Sequence, residues 1–266
     1  VPFAWLRRRR RRRLLASPLP AEALPTLEAL PFWPSLPPAS RERLVAIARV
    51  LVAEIHWEGR SGLEVTPAMR WTIAGLAALL AVGRPAGAFD RVRTVLVTPG
   101  DFAPAEPEAD EFGIVHVGQR HAGEAWHQGT LTLSWEEIEE DLATEGGGRN
   151  VVWHEFAHQL DLGRGSWFDG TPDLDSTAAR TRWREVMQRE FDALVAATKR
   201  GRRTFLDAYG ATDESEFFAV VTEEFFDSPR ELQQHHGELY AVLADYYGQD
   251  PAAWPATSGP ADEQGR

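Results

Sequence analysis

The residues with the clearest chemical use lie in His154-Glu155-Phe156-Ala157-His158, an HExxH pattern. On an α-helix, residues four apart share a face, so His154 and His158 can present two imidazoles to one Zn2+ from a single turn. Glu155, between them, can reach water activated by that metal and act as general base. A catalytic zinc site usually has three protein ligands and one open position, so a third ligand is required. Asp161 is near, but its short side chain, three residues after His158, would compete with the histidines for one side of the metal. Holding the N–H of a ligand histidine suits it better. Glu216 is the stronger candidate. It follows Thr212 and Asp213, either of which can cap a helix, and it adjoins Phe217 and Phe218. Its carboxylate is therefore expected in the interior, where an acid needs a partner. Glu223 and Glu224, two turns on, are alternative ligands or else a solvated face. Tyr209, seven residues before Glu216, can face the same cleft and donate to a developing oxyanion. Together these groups describe peptide hydrolysis, with Glu155 taking a proton from water and passing it to the leaving amine.

These side chains need elements to hold them. Asn150 can cap a helix over about 151–162, whose Val152, Trp153, Phe156, Ala157 and Leu160 are apolar, as a buried active helix requires. Further helices are expected over 177–199, 214–227 and 229–247. Upstream, Ser40 opens a helix through about Trp57, and Thr66-Pro67 opens another to Val82. Strand-like runs follow at 94–98, 113–117 and 130–134. The pattern predicts an α+β fold, mainly helical, with a small mostly antiparallel sheet before the HExxH helix. Leu131-Thr132-Leu133 reads either as a core strand or as an edge strand able to pair with an extended peptide. Trp126 and His127 belong to a loop beside the cleft, and the adjacent His235 and His236 point to different helix faces and read as surface residues.

Composition narrows the function further. The chain has 266 residues, 43% of them hydrophobic, and no cysteine, which excludes disulfide scaffolds, thiolate metal sites and cysteine nucleophiles. The longest apolar stretch, Trp71 to Gly83, is too short to span a bilayer. The net charge is −12; setting aside the run Arg7 to Arg13 leaves 21 basic against 40 acidic side chains, a net of −19. An acidic body is a poor partner for nucleic acid, so none is expected. Too short an apolar segment follows the arginines for a signal peptide, and a cytoplasmic location is expected. Residues 1–39, rich in arginine and then proline, read as an arm; 40–248 as one metallopeptidase domain; and 249–266 as a flexible tail.

Asn150 to Asp161 (NVVWHEFAHQLD) and Tyr209 to Phe226 (YGATDESEFFAVVTEEFF) resemble the Mlc titration factor A family of zinc-dependent peptidases. The catalytic part is similar to the anthrax lethal factor catalytic domain. The resemblance takes in the arginine-rich start, Gly62 to Thr66, Arg93 to Val97 and Leu131 to Trp135, leaving out only the tail beyond about Gly248. It implies a zincin-like metallopeptidase, with His154, His158 and Glu216 as zinc ligands, Glu155 as general base and Tyr209 as oxyanion donor. Four residues after Glu216, where the lethal factor pattern has an acid, this chain has Val220. The resemblance also implies an aminopeptidase-like activity on peptide or protein substrates and a transcriptional repressor of the Mlc type as partner. A non-catalytic protein that titrates such a repressor is the alternative.

Overall fold

The computed structural model describes residues 2–100, 108–109, 115–116, 129–144, 147–162 and 168–255. Its centre is helix α4 (Pro67–Ala81), which follows α1 (Pro2–Ala16), α2 (Ala23–Glu28), α3 (Pro38–Glu54) and strand β1 (His56–Gly59). Thr66 starts α4 as read from the sequence: its hydroxyl accepts from the Met69 N–H at 3.2 Å, with Pro67 in the first turn, where a missing N–H costs nothing. The run that follows is apolar on every side, and Ile73, Ala74, Leu76, Leu79 and Leu80 are all buried. α2, α3 and the HExxH helix pack around it.

Strand β2 (Thr94–Thr98) comes next, then the short β3 (Glu108–Ala109) and β4 (Val115–His116), β5 (Thr130–Ser134) and α5 (Trp135–Ala143). β1, β2 and β5 form a three-stranded sheet in that order, and both pairings are parallel. This corrects the mostly antiparallel sheet expected from the sequence. The sequence reading ran a helix through Trp57 and so missed β1. Because α4 crosses over from β1 to β2, the strands it joins must run the same way. Only the minor β3–β4 pair is antiparallel. The register sets Val95 opposite Leu131 and Val97 opposite Leu133, so one face of alternating side chains is buried. Among the described residues β5 pairs with β2 alone and forms an edge.

The C-terminal half is helical: α6 (Val151–Asp161), α7 (Thr177–Lys199), α8 (Glu214–Asp227), α9 (Pro229–His235) and α10 (Gly237–Tyr247). The single helix expected over 229–247 is broken at His236. Trp126, His127 and the residues beyond 255 lie outside the described residues, as does most of the strand expected at 113–117.

The segment expected as an arm contains α1 and α2. Ala23 and Leu27 of α2 are fully buried. α1 lies on α3, and the Arg11 guanidinium donates to Glu54 at 2.6 Å and to Asp90 at 2.5 Å, while Arg7 meets Asp90 at 2.5 Å. At the far end Arg49 donates to the Leu14 and Ser17 carbonyls at 2.6 and 2.8 Å, satisfying acceptors that a helix terminus leaves open. Arg11→Ala should loosen this clamp. Partly exposed pairs contribute about 1 kcal/mol, so we expect Tm to fall roughly 2–4 °C and cleavage by trypsin within α1 to accelerate. Unchanged proteolysis would show that the ion pairs do not hold the helix.

Candidate metal centre

α6 carries the HExxH residues because its other faces are anchored. The Asn150 side chain accepts from the Trp153 N–H at 3.0 Å, starting the helix where the sequence suggested. Trp153 Nε1 donates to the Leu76 carbonyl of α4 at 3.1 Å, and Phe156 meets Phe89 edge-on, with ring centroids 4.9 Å apart. α8 packs against α6 and begins at Asp213, whose carboxylate accepts from the Ser215 and Glu216 N–H groups, each at 2.9 Å. Nearly the whole of α8 is buried, so Glu216 is carried inward by its neighbours Phe217 and Phe218.

The two helices bring three expected ligands together. The donor atoms of His154, His158 and Glu216 all lie within 4.8 Å of one another. Each imidazole turns its Nε2 toward the Glu216 carboxylate, at 3.0 Å for His154 and 3.7 Å for His158. Their outer nitrogens are also held. His154 Nδ1 donates to Glu223 at 2.7 Å, and His158 Nδ1 lies 2.9 Å from the Ser215 hydroxyl. The convergent nitrogens and carboxylate therefore face one point with their orientation fixed from behind, which is what a dication requires of its ligands. This donor set fits a metal ion.

The sequence reading misplaced three supporting residues. Glu223 and Glu224 are buried, so the solvated face is excluded. Glu223 stands behind His154: one carboxylate oxygen accepts from Nδ1, the other from the Asn150 N–H at 2.5 Å. The seven-residue interval from Glu216, two helical turns along one face, was the signal available for it. It supplies the supporting acid that Val220 does not. Asp161, expected on a ligand histidine, accepts instead from the Gly170 N–H at 3.0 Å and lies beside Ser215, the residue that touches His158. Gly170 has φ of 67°, and a Cβ there would meet the Glu214 carbonyl oxygen at 2.4 Å, so only glycine brings this N–H to Asp161. Burial pushes the Asp161 carboxyl up to about 6 against the lowering effect of that hydrogen bond. Of the remaining histidines, His235 is exposed, while His236 is half-buried and bonds Glu190 at 2.8 Å.

Tyr209 sits in a 3-10 turn (Ala208–Ala211) packed on α8, its N–H donating to Asp207 at 2.8 Å. Its ring centroid is 5.9 Å from that of His154, and half of the residue is exposed, at the mouth of the site. Glu155 is half-buried, close enough for its charge to act on both His154 and Tyr209. Burial, then the charges of Glu216 and Glu155, push the Tyr209 phenol up to about 12, so it stays a donor at neutral pH. Burial favours neutral His154, yet the Glu216 and Glu223 hydrogen bonds prevail and raise it to about 10. Burial likewise works to raise Glu216, but its two histidine partners hold it near 2.

Glu224 is shifted the opposite way from Glu216. Burial, then Asp227 and Glu223, raise its carboxyl from 4.5 to about 8. The folded chain therefore holds a proton there that the unfolded chain releases near pH 4.5, and stability falls as pH rises from about 4.5 to 8. Glu224→Gln removes this titration. Its Tm should match the wild type at pH 4.5 and exceed it increasingly up to pH 8, then run parallel; an equal difference at all pH values would exclude the mechanism.

Two helix-borne imidazoles four residues apart, closed by a carboxylate from a second buried helix, define the metallopeptidase class of site. Comparison with known proteins is specific: the sequence profile of the glucose-regulated metallo-peptidase M90 family matches residues 5–248. The chain belongs to that family. It is 36% identical over 245 residues to a Synechocystis protein of uncharacterised function, covering 91% of this chain and 89% of the relative. It is also 32% identical over 228 residues to Mlc titration factor A of Yersinia pestis and of Yersinia pseudotuberculosis, covering 84% of this chain and 83% of each relative. Among the described residues no helix is long and apolar enough to cross a membrane.

Proposed function

We propose that the chain is a zinc-dependent metallopeptidase hydrolysing peptide bonds, in an aminopeptidase-like or related mode, within one domain that takes in 40–248 together with α2. The observation that carries this is the convergence of His154 Nε2, His158 Nε2 and the Glu216 carboxylate, with each imidazole held from behind by a second residue. Those three would hold the metal, which when bound supplies Lewis-acid polarisation of a scissile carbonyl and of water. The other steps belong to the protein. Glu155 accepts a proton from the attacking water and delivers it to the leaving amine. Tyr209 Oη donates to the oxygen of the former carbonyl as charge builds there. The edge of β5 that is unpaired among the described residues offers main-chain groups to an extended peptide.

The direct test measures metal content and cleavage of a panel of aminoacyl and internally quenched peptide reporters by the purified chain. Zinc near one equivalent with cleavage of a reporter supports the reading; a metal-free or fully loaded but inert protein opposes it. Tyr209→Phe keeps the ring and removes only the donor. It should lower kcat by about 10²–10³ with little change in KM; a change in KM alone would assign Tyr209 to substrate binding. The name of the Yersinia relatives, with the sequence resemblance, favours a second role, binding a transcriptional repressor of the Mlc type, and this role alone is the non-catalytic alternative. Retained repressor binding by an inactive Glu155 variant would separate the two.

A further inference from the structure

A cavity of about 780 Å³ lies between α1, the outer face of α3 and the segment 84–93, away from the His154 site. This volume is within the range of about 300–1,000 Å³ of small-molecule sites. Its floor is apolar: Val50, Leu51, Ile55, Ala81, Phe89 and Val92 contribute to it. Its rim is not. Seven arginines reach the cavity against two carboxylates, Glu54 and Asp90, in a chain whose net charge is −12. Both carboxylates are already neutralised by Arg7 and Arg11. Among the described residues Arg8, Arg12 and Arg93 have no acidic partner. On α1 the cavity is met by Trp5, Arg8, Arg12 and Leu15, which helical spacing sets along one face, and Trp5 and Leu15 are 56% and 40% exposed.

An apolar-floored pocket bordered by guanidinium groups without acidic partners has a defined complement. Guanidinium binds carboxylate and phosphate in paired hydrogen bonds, and an apolar floor of this depth gains from burying an alkyl chain. We propose that this cavity binds an anionic amphiphile, a single acyl chain with a carboxylate or phosphate head at Arg8 and Arg12 and its tail on the α3 floor. The arginine run thereby gains a use distinct from peptide cleavage, and α1 is one wall of the site.

The test uses the full chain and calorimetry with dodecanoate and dodecyl phosphate below their micelle-forming concentrations. Binding near one equivalent is expected. Dodecyltrimethylammonium, which has the chain without the anion, and inorganic phosphate, which has the anion without the chain, should each bind at least roughly tenfold more weakly, a difference of about 1.4 kcal/mol. The double variant Arg8→Glu/Arg12→Glu, which touches no ion pair of the clamp, should lose tenfold or more. Ala46→Phe should fill the cavity and abolish binding with its melting temperature and metal content retained. Phosphatidylglycerol vesicles that compete with dodecyl phosphate would name a membrane lipid as the source of the anion; vesicles that do not would name a soluble one. Equal binding of the cationic amphiphile, wild-type affinity in the rim variant, or capture by vesicles with no binding of either soluble anion would overturn the proposal.

Discussion

Glu155→Gln should cost about 10²–10⁴ in kcat while metal content, Tm and the affinity for an uncleaved peptide stay at wild-type values. The substitution is nearly isosteric and half-exposed, so packing around Phe156 and the anchors of α6 are untouched. What disappears is the basic oxygen that takes a proton from water. Glu155 is not among the converging donors of the centre, and for that reason occupancy should not follow activity. A variant that loses metal in proportion to rate would make Glu155 a structural member of the site, and one that keeps full rate would place the base elsewhere.

The second large effect is expected from Glu223→Gln. Both oxygens of Glu223 are acceptors, one for His154 Nδ1 at 2.7 Å and one for the Asn150 N–H at 2.5 Å. Glutamine has a single acceptor oxygen and turns an NH2 group toward one of these donors. It therefore leaves a buried N–H facing another N–H, or releases the imidazole from its tautomer. Removing such supporting partners typically lowers metal affinity about 10–100-fold. A competitive chelator titration reads this without any activity measurement. Glu224→Gln, one residue along and facing Gly148, provides the comparison: a Cβ on Gly148 would lie 2.6 Å from its Oε1. It should leave metal affinity unchanged. Equal losses from both variants would trace the effect to α8 as a whole and would falsify a specific role for Glu223.

What could be read without coordinates was whatever depends on short-range spacing. His154 and His158 share a face because four residues make about one helical turn, and Asn150, Thr66 and Asp213 announce helix starts because their side chains reach N–H groups two or three residues ahead. Glu216 was recognisable from its apolar neighbours, which carry it inward. The sheet direction was not legible, because β1 is four residues long and parallel pairing is imposed by α4 crossing between strands 38 residues apart in register, His56 against Thr94. Nor was the role of Glu223: the interval of seven placed it on the face of Glu216, but only the packing of α8 on α6 brings it to His154, 69 residues earlier. Ser215 displaced Asp161 from His158 for the same reason. The arginine run marks the extreme case. Sequence alone showed seven like charges that repel in water; the fold sets Glu54 and Asp90, 43 and 79 residues from Arg11, where two of those charges are neutralised, and so turns a repelling segment into a docked helix. Local hydrogen bonding decides which residues share a helix face, whereas charge pairing and burial across the chain are decided only once distant elements close on one another.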